Sequence, residues 1–292
     1  MHNGRVTEPK TYGDRLAVVT VTYSPGETLE RFLDTLTKAT TRDVHVVLAD
    51  NGSTDGAPEK AAEREHVHLL RTGENLGYGA GANRGVAELD DSYGWVVIAN
   101  PDLEWEPGSL DELLAVAERW PRGGAFGPLI REPDGTVYPS ARLLPSLGRG
   151  IGHALFGKVW PGNPWTRAYR QERGEPVERT AGWLSGSCQL LRREAFDSVG
   201  GFDPRYFMYF EDVDLGDRLA RAGWLNVYAP SAAVMHLGGQ ATSRASARML
   251  AAHHESAYRY LADRHRGPAW RPLLLAIRLG LAIRLRLETR RS

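Results

Sequence analysis

The chain has 292 residues, a quarter of them charged, and its 36 basic and 36 acidic side chains cancel. That length fits one large α/β domain or two small ones, and a neutral balance gives no electrostatic footing for nucleic acid. The single cysteine, Cys188, excludes an internal disulfide framework and a cysteine-based zinc site, and fits a reducing compartment.

Residues 1–14 are polar, read as a flexible arm, and carry no apolar core of a signal peptide. Leu16 to Tyr23 is rich in β-branched residues and predicts a strand, broken by Ser24-Pro25-Gly26. Leu29, Phe32, Leu33 and Leu36 recur at helical spacing. A strand follows from Val44 to Asp50, then a helix-like stretch from Ala57 to Glu65 and a short strand from Val67 to Leu70. Asn75 to Gly85 is a glycine-rich loop entering a helix. Trp95 to Asn100 is a strand, and Pro107 opens a helix running to about Trp120. Strands alternating with helices predict a parallel, doubly wound sheet. No G-x-G-x-x-G follows the first strand, which weakens a dinucleotide dehydrogenase and leaves other nucleotide binders.

The middle, 128–182, is rich in Gly, Pro, Trp and Arg, with Pro133-Asp134-Gly135 as a hairpin turn. Stretches of this kind are usually lids or binding segments. Leu184 to Leu191 returns to strand character. Glu211 to Gly223 reads as a charged helix burying Val213, Leu215, Leu219 and Ala220, and Leu225 to Tyr228 as a last strand with His236 after it. No run of about 18 uncharged apolar residues predicts a transmembrane helix.

Two apolar runs end in carboxylates, at Asp50 and Asp102. Ligands of open α/β sheets sit beyond the carboxyl ends of the strands, so both belong at one crevice rim. This is the layout of a nucleotide-and-metal site; the alternative is that each Asp only starts a turn or caps a helix. A third acidic group, Glu211, Asp212 and Asp214, opens a helix. Its dipole alone would favour carboxylates there, and one of them facing the crevice would serve as a general base. A lone His236 after a strand is more often packed than functional, unless it lies beside Asp102.

In order along the chain stand Val21-Thr22-Tyr23-Ser24, Ala49-Asp50-Asn51-Gly52-Ser53-Thr54-Asp55, the Asn75 to Gly81 loop, Asn100-Pro101-Asp102, Gly182-Trp183-Leu184-Ser185-Gly186, Gly200-Gly201-Phe202-Asp203, Phe210-Glu211-Asp212-Val213-Asp214 and His236. This ordered set resembles family 2 glycosyltransferases of the GT-A fold, over about residues 16–265. Tyr138-Pro139-Ser140-Ala141-Arg142, Asn163-Pro164-Trp165 and Tyr169-Arg170-Gln171-Glu172-Arg173 point within that family to bacterial rhamnosyltransferases. The resemblance implies a GT-A type, Rossmann-like nucleotide-binding half with a mostly parallel sheet over 15–127, an acceptor-binding and catalytic half over 128–244, and basic C-terminal helices over 245–292.

It also implies roles. Thr22, Tyr23 and Asp50 would hold thymine and ribose, with Asp50 accepting from the base imide N–H. Asn51, Asn75, Gly81, Asn83 and Pro101 would line the nucleotide cleft. Asp102 and His236 would hold a divalent cation, Mg²⁺ or Mn²⁺, bridging a diphosphate. Trp183, Ser185, Gly186 and Glu211 would border the acceptor, and Asp212 would be the general base. The implied donor is dTDP-L-rhamnose, the implied acceptor a GlcNAc-diphospho-polyprenol used in cell-wall arabinogalactan linker synthesis, and a homo-oligomer is left open. Another nucleotide sugar or another acceptor is the alternative. Asn100 stands where the usual Asp-x-Asp has its first carboxylate, so weak metal affinity is expected, with metal arriving on the nucleotide.

From Arg264 to Ser292 there are eight arginines and one acid, so this tail carries +7 and the preceding body −7. Such a tail suits an anionic surface. Trp270 to Arg291 is expected to lie on the cytoplasmic face of a membrane, with Arg271, Arg278 and Arg286 in an arc of roughly 80°. The alternative is a helix packed on the domain with a solvated basic face.

Overall fold

The computed structural model describes residues 10–145, 176–238 and 246–289. The first half is built from strands β1 (Arg15–Thr22), β2 (Val44–Asp50), β3 (Val67–Arg71) and β4 (Tyr93–Ala99), with helices α1 (Thr28–Ala39), α2 (Ala57–Ala61) and α3 (Tyr78–Ala87). After it come β5 (Leu103–Trp105), α4 (Ser109–Arg119), β6 (Gly123–Arg131), β7 (Val137–Tyr138), β8 (Ala141–Arg142), β9 (Arg179–Ala181), β10 (Trp183–Leu184) and β11 (Cys188–Arg192). The remainder is α5 (Arg193–Ser198), α6 (Glu211–Arg221), β12 (Leu225–His236), α7 (Ser246–Arg264), a 3₁₀ turn (Pro268–Trp270) and α8 (Arg271–Thr289).

The strands form one twisted sheet in the order β3-β2-β1-β4-β11-β6-β12-β5, with β7 beside β6 and β9 beside β12; β8 and β10 make a separate pair. The ladders β3-β2-β1-β4 and β6-β12 are parallel, and β11 enters antiparallel between β4 and β6. This is the mixed α/β architecture of the GT-A fold. The division at residue 127 falls inside β6, so the two halves share one sheet.

Alternation along β1 shows how the sheet is covered on both faces. Leu16 and Val18 point into one apolar layer with Leu29, Phe32 and Leu33 of α1 and Leu110 and Leu113 of α4. Ala17, Val19 and Val21 point into the other, with Ala82 and Val86 of α3, Phe196 of α5 and Leu215 and Leu219 of α6. Burial on both faces is why these strands read as continuous apolar runs.

Several expectations shift in detail. α2 stops at Ala61 rather than Glu65. Pro107 lies before α4, whose entry is set by Gly108 at φ 73°. Ala220 is exposed, while Val213, Leu215 and Leu219 are buried as expected. His236 is the last residue of β12 and does not follow a strand ending at Tyr228. The sequence reading stopped short because Pro230 cannot donate to a ladder. The strand offsets its register between Ala229 and Ala233 and then resumes. The hairpin turn at Pro133-Asp134-Gly135 joins β6 to β7, with Gly135 at φ 82°.

Candidate active site

Parallel pairing delivers the ends of β1, β2 and β4 to one rim. Thr22 stands opposite Asp50, and Thr20 opposite Ala99, just before Asn100-Pro101-Asp102. Antiparallel β11 places its start at the same rim: Cys188 faces Ala99, and the Asn100 amide donates to the Ser187 carbonyl at 2.9 Å. β12 ends there too, with His236 opposite Leu103.

At this rim Asp102 Oδ1 and His236 Nε2 lie 3.1 Å apart, and the Asn100 side-chain amide is 3.4 Å from the same ring nitrogen. Both side chains keep partial access to solvent. Burial of His236 opposes its charged form, but the hydrogen bond and charge of Asp102, with Glu132 beyond, outweigh it and raise the pKa. A partly exposed carboxylate oxygen and imidazole nitrogen side by side are donor types that suit a divalent cation taking its remaining ligands from phosphate and water. Among the described residues no cluster of three or more His, Cys, Asp or Glu side chains could cage a metal. Among the described residues, the Asp102–His236 pair is the candidate protein contribution at this place. An open cavity of about 480 Å³ lies beside it, between Gly26, Thr28 and Arg31 at the start of α1 and Leu237-Gly238 after β12.

Asp50 is 1% exposed and heavily engaged. It accepts from Thr22 Oγ1 at 2.9 Å, from the Ser53 amide at 3.1 Å, from the Ser53 hydroxyl, and from Arg71 at 3.4 Å. A base imide N–H would have to share Asp50 with these donors. Thr22 is fully buried, whereas Tyr23 stands 54% exposed on the rim. Asn51 donates to the Gly77 carbonyl at 2.9 Å, and Asn75 accepts from the Gly77 amide at 3.0 Å, so both shape the glycine-rich turn. Gly81 lets α3 approach β1 closely: a Cβ there would meet Val21 at 3.1 Å and Asn51 at 3.4 Å. Asn83 spends both ends of its amide on the Phe202 backbone, at 2.7 and 2.9 Å, which clasps the Gly-Gly-Phe-Asp turn rather than the cleft. Pro101 sits part-buried in the turn before Asp102.

The acidic start of α6 closes the site. Asp212 Oδ2 accepts from the Gly186 amide at 2.9 Å and Oδ1 from its neighbour Val213 at 2.8 Å. Burial raises the Asp212 pKa; those amides and the charge of Arg142 oppose the rise without cancelling it. Glu211 is 6% exposed, and its Oε2 has no hydrogen-bond partner. Burial first, then the adjacent Asp212 charge, push its pKa up to about 8. Burial thus raises the pKa of both neighbouring carboxyls, and the charge of Asp212 adds to the rise at Glu211. Asp214 is different: it is part-buried and paired with Arg218 at 2.6 Å, and burial raises its pKa against that pairing.

Trp183 donates its indole N–H to the Leu143 carbonyl at 3.2 Å, and Ser185 is buried beside Ser187. A Cβ on Gly186 would sit 3.4 Å from both Asp212 and Tyr78, so glycine leaves both groups room. Tyr78 was missed in the sequence. Its hydroxyl donates to the Gly186 carbonyl, and burial followed by the charges of Glu211, Cys188, Asp212 and Asp102 raises its pKa well above the usual range. Tyr78 and Asp212 thus grip opposite ends of one residue. Its only sequence signal was an aromatic ring inside a glycine-rich loop. Arg142 was visible only as part of a subfamily motif, and residues 163–165 and 169–173 of the other two motifs lie outside the described residues.

A sheet rim carrying Asn-Pro-Asp, a paired histidine and a buried carboxylate on a helix start defines a nucleotide-sugar transferase of the GT-A class. The model of glycosyl transferase family 2 matches residues 17–200, and the chain belongs to that family. It is a glycosyltransferase.

The chain is 60% identical over 290 residues to the N-acetylglucosaminyl-diphospho-decaprenol L-rhamnosyltransferase of Mycobacterium tuberculosis, covering 96% of this chain and 94% of that one. It is 27% identical over 197 residues to the rhamnosyltransferase WbbL of Escherichia coli, covering 65% and 72%. Among solved structures, the mannosyltransferase PcManGT of Pyrobaculum calidifontis in complex with GDP-Man and Mn²⁺ superposes with a TM-score of 0.58 at 19% identity, over 94% of this chain and 72% of that one. GalNAc-T7 with UDP, GalNAc and Mn²⁺ gives the same score at 17% identity, over 77% and 44%. These two likenesses establish the fold.

Proposed function

We propose that the chain transfers L-rhamnose from dTDP-L-rhamnose to the 3-hydroxyl of a GlcNAc-diphospho-polyprenol, with inversion, in building the arabinogalactan linker of a cell wall. The observation that carries this is the 60% identity, nearly end to end, to the mycobacterial enzyme whose name states that acceptor and that sugar. The lipid of such an acceptor puts the reaction at the cytoplasmic face of a membrane.

In this reading Asp212 is the base. Its two backbone hydrogen bonds fix the carboxylate, and its remaining lone pairs take the proton of the acceptor hydroxyl as that oxygen attacks the anomeric carbon. The bond from that carbon to the diphosphate breaks on the opposite face, through an oxocarbenium-like state, and dTDP leaves. Tyr78 holds Gly186, and Gly186 holds Asp212, so the base stays aimed through the reaction. Trp183, Ser185, Gly186 and Glu211 would border the acceptor sugar. A divalent cation held by Asp102 and His236 would stabilise the negative charge that develops on the leaving diphosphate. The residues of the first half, Thr22, Tyr23, Asp50, Asn51, Asn75, Gly81, Asn83 and Pro101, form or support the nucleotide cleft.

The test is incubation of the protein with Mg²⁺ or Mn²⁺, a short-chain GlcNAc-diphospho-lipid and a panel of nucleotide sugars. The expected product is a rhamnosyl-GlcNAc lipid formed from dTDP-rhamnose, α-linked by NMR. Turnover with a different donor, or none with any, overturns the proposal.

A further inference from the structure

α8 packs along α7. Leu274 is buried, Arg278 lies over the Tyr258 ring at 5.5 Å, and Leu281 and Leu285 line a crevice with Ala251, His254 and Tyr258 of α7. At about 100° per residue, Leu274, Leu281 and Leu285 fall within roughly 40° of one another and mark the inward side. The opposite side is apolar as well. Leu275, Leu279, Ile283 and Leu287 are 58, 57, 57 and 53% exposed, and they form a stripe about 18 Å long across an arc of roughly 120°. Among the described residues, five of the nine exposed large apolar side chains fall between Trp270 and Leu287, so the exposure is concentrated and not scattered.

The charges complete the pattern. Arg271 borders the stripe on one side, and Arg286 falls within its arc between Leu275 and Leu279. The helix's one acid, Glu288, is turned away and bonded to Arg284 at 2.8 Å, so no carboxylate faces outward. An apolar stripe with a cationic border is complementary to an anionic lipid surface. Among the described residues no helix is long and apolar enough to cross a membrane. The arrangement differs from the expectation of an arginine-centred face. Arg278 is drawn inward by Tyr258, and the outward pole is held by Leu279 and Ile283.

We infer that the outward face of α8 is a docking surface for an anionic bilayer, with Leu275, Leu279, Ile283 and Leu287 in the interfacial layer and Arg271 at the headgroups. This rests on the reading that the acceptor is lipid-linked. α7 carries the docking to the chemistry: His253 packs on Tyr209 at 5.4 Å and on Phe210 at 5.5 Å, immediately before Glu211 and Asp212.

The experiment measures co-flotation of the full-length protein with vesicles of phosphatidylcholine containing phosphatidylglycerol, against phosphatidylcholine alone. Wild type should bind the anionic vesicles. L279D/I283D should lower binding at least tenfold, with unchanged circular dichroism and dTDP affinity because both side chains are exposed. R271Q should lose a few fold, and less so in high salt, where a surface charge is screened. Equal binding by L279D/I283D and wild type, or no binding by wild type, overturns the inference. So does a wild-type dimer that L279D/I283D converts to monomer without any vesicle binding, which would assign the face to a second copy. Rhamnosyl transfer to a water-soluble short-chain acceptor is followed in parallel. Its absence defeats the proposed reaction whatever the vesicles show, and its persistence in L279D/I283D separates docking from chemistry.

Discussion

Asp50 and the Glu211–Asp212 pair are both buried acids at one rim of one sheet, but they are furnished in opposite ways. Asp50 is surrounded by donors from Thr22, Ser53 and Arg71, drawn from β1, its own turn and β3. Glu211 has an oxygen with no hydrogen-bond partner among the described residues, and Asp212 has two amides and capacity to spare. A carboxylate whose lone pairs are filled serves as a knot in the scaffold. A carboxylate left short of partners is costly to bury and available to a substrate.

The contrast breaks first at Asp212. Asp212→Asn should lower kcat by about 10²–10⁴ with dTDP binding and Tm nearly intact. A kcat close to wild type in a steady-state assay would remove it as the base. Asp102→Ala and His236→Ala come next, each raising the metal concentration for half-maximal activity by about 10–100-fold. An unchanged metal titration for His236→Ala would return that residue to packing. Asp50→Asn should act in the opposite register to Asp212→Asn, costing about 1–3 kcal/mol of stability because one oxygen becomes a donor facing donors. Its thermal unfolding should shift where that of Asp212→Asn does not.

Glu211 sharpens the comparison through pH. Its folded pKa is raised from the usual 4.5 to about 8. Its contribution to stability is therefore fully present below the unfolded value and is lost as pH rises toward the folded one. Between pH 5 and 8 the wild type should lose about 1–3 kcal/mol relative to Glu211→Gln, which holds no titrating proton. Parallel Tm curves for the two proteins would show that Glu211 is not held protonated. The smallest effect belongs to Tyr78→Phe, which should lower kcat about tenfold with donor affinity unchanged, since it loosens Gly186 and not the cleft. A purely structural Tyr78 would lower Tm and leave kcat alone.

Much of the frame was legible because apolar β-branched runs stop abruptly at Asp50 and Asp102, and strands buried on both faces leave such a trace. The residues alone leave the pairing of Asp102 with His236 a condition, because β12 hides behind Pro230; it is the family resemblance that implies a shared cation. The grip of Tyr78 on Gly186 joins residues 108 positions apart, and no local pattern encodes a hydrogen bond to a distant carbonyl. The saturation of Asp50 is equally silent, since it depends on Arg71 arriving from a neighbouring strand. For α8 the periodicity gave the arc of arginines but not which side meets α7, and that choice decides what the helix shows outward.

Tyr209 and Phe210 both adopt left-handed backbone, at φ 67° each. Outside glycine such conformers cost of order 1–3 kcal/mol apiece and persist only under external support. Here that support is His253 and Tyr260 of α7, whose rings pack edge-on and tilted against the two side chains. The C-terminal hairpin is therefore not an interchangeable anchor. A chimera that borrows another relative's tail can be joined near Pro268, where only α8 is exchanged. A junction ahead of Ser246 would replace the prop beneath Tyr209 and Phe210, and the hybrid would inherit a Glu211–Asp212 helix start free to relax.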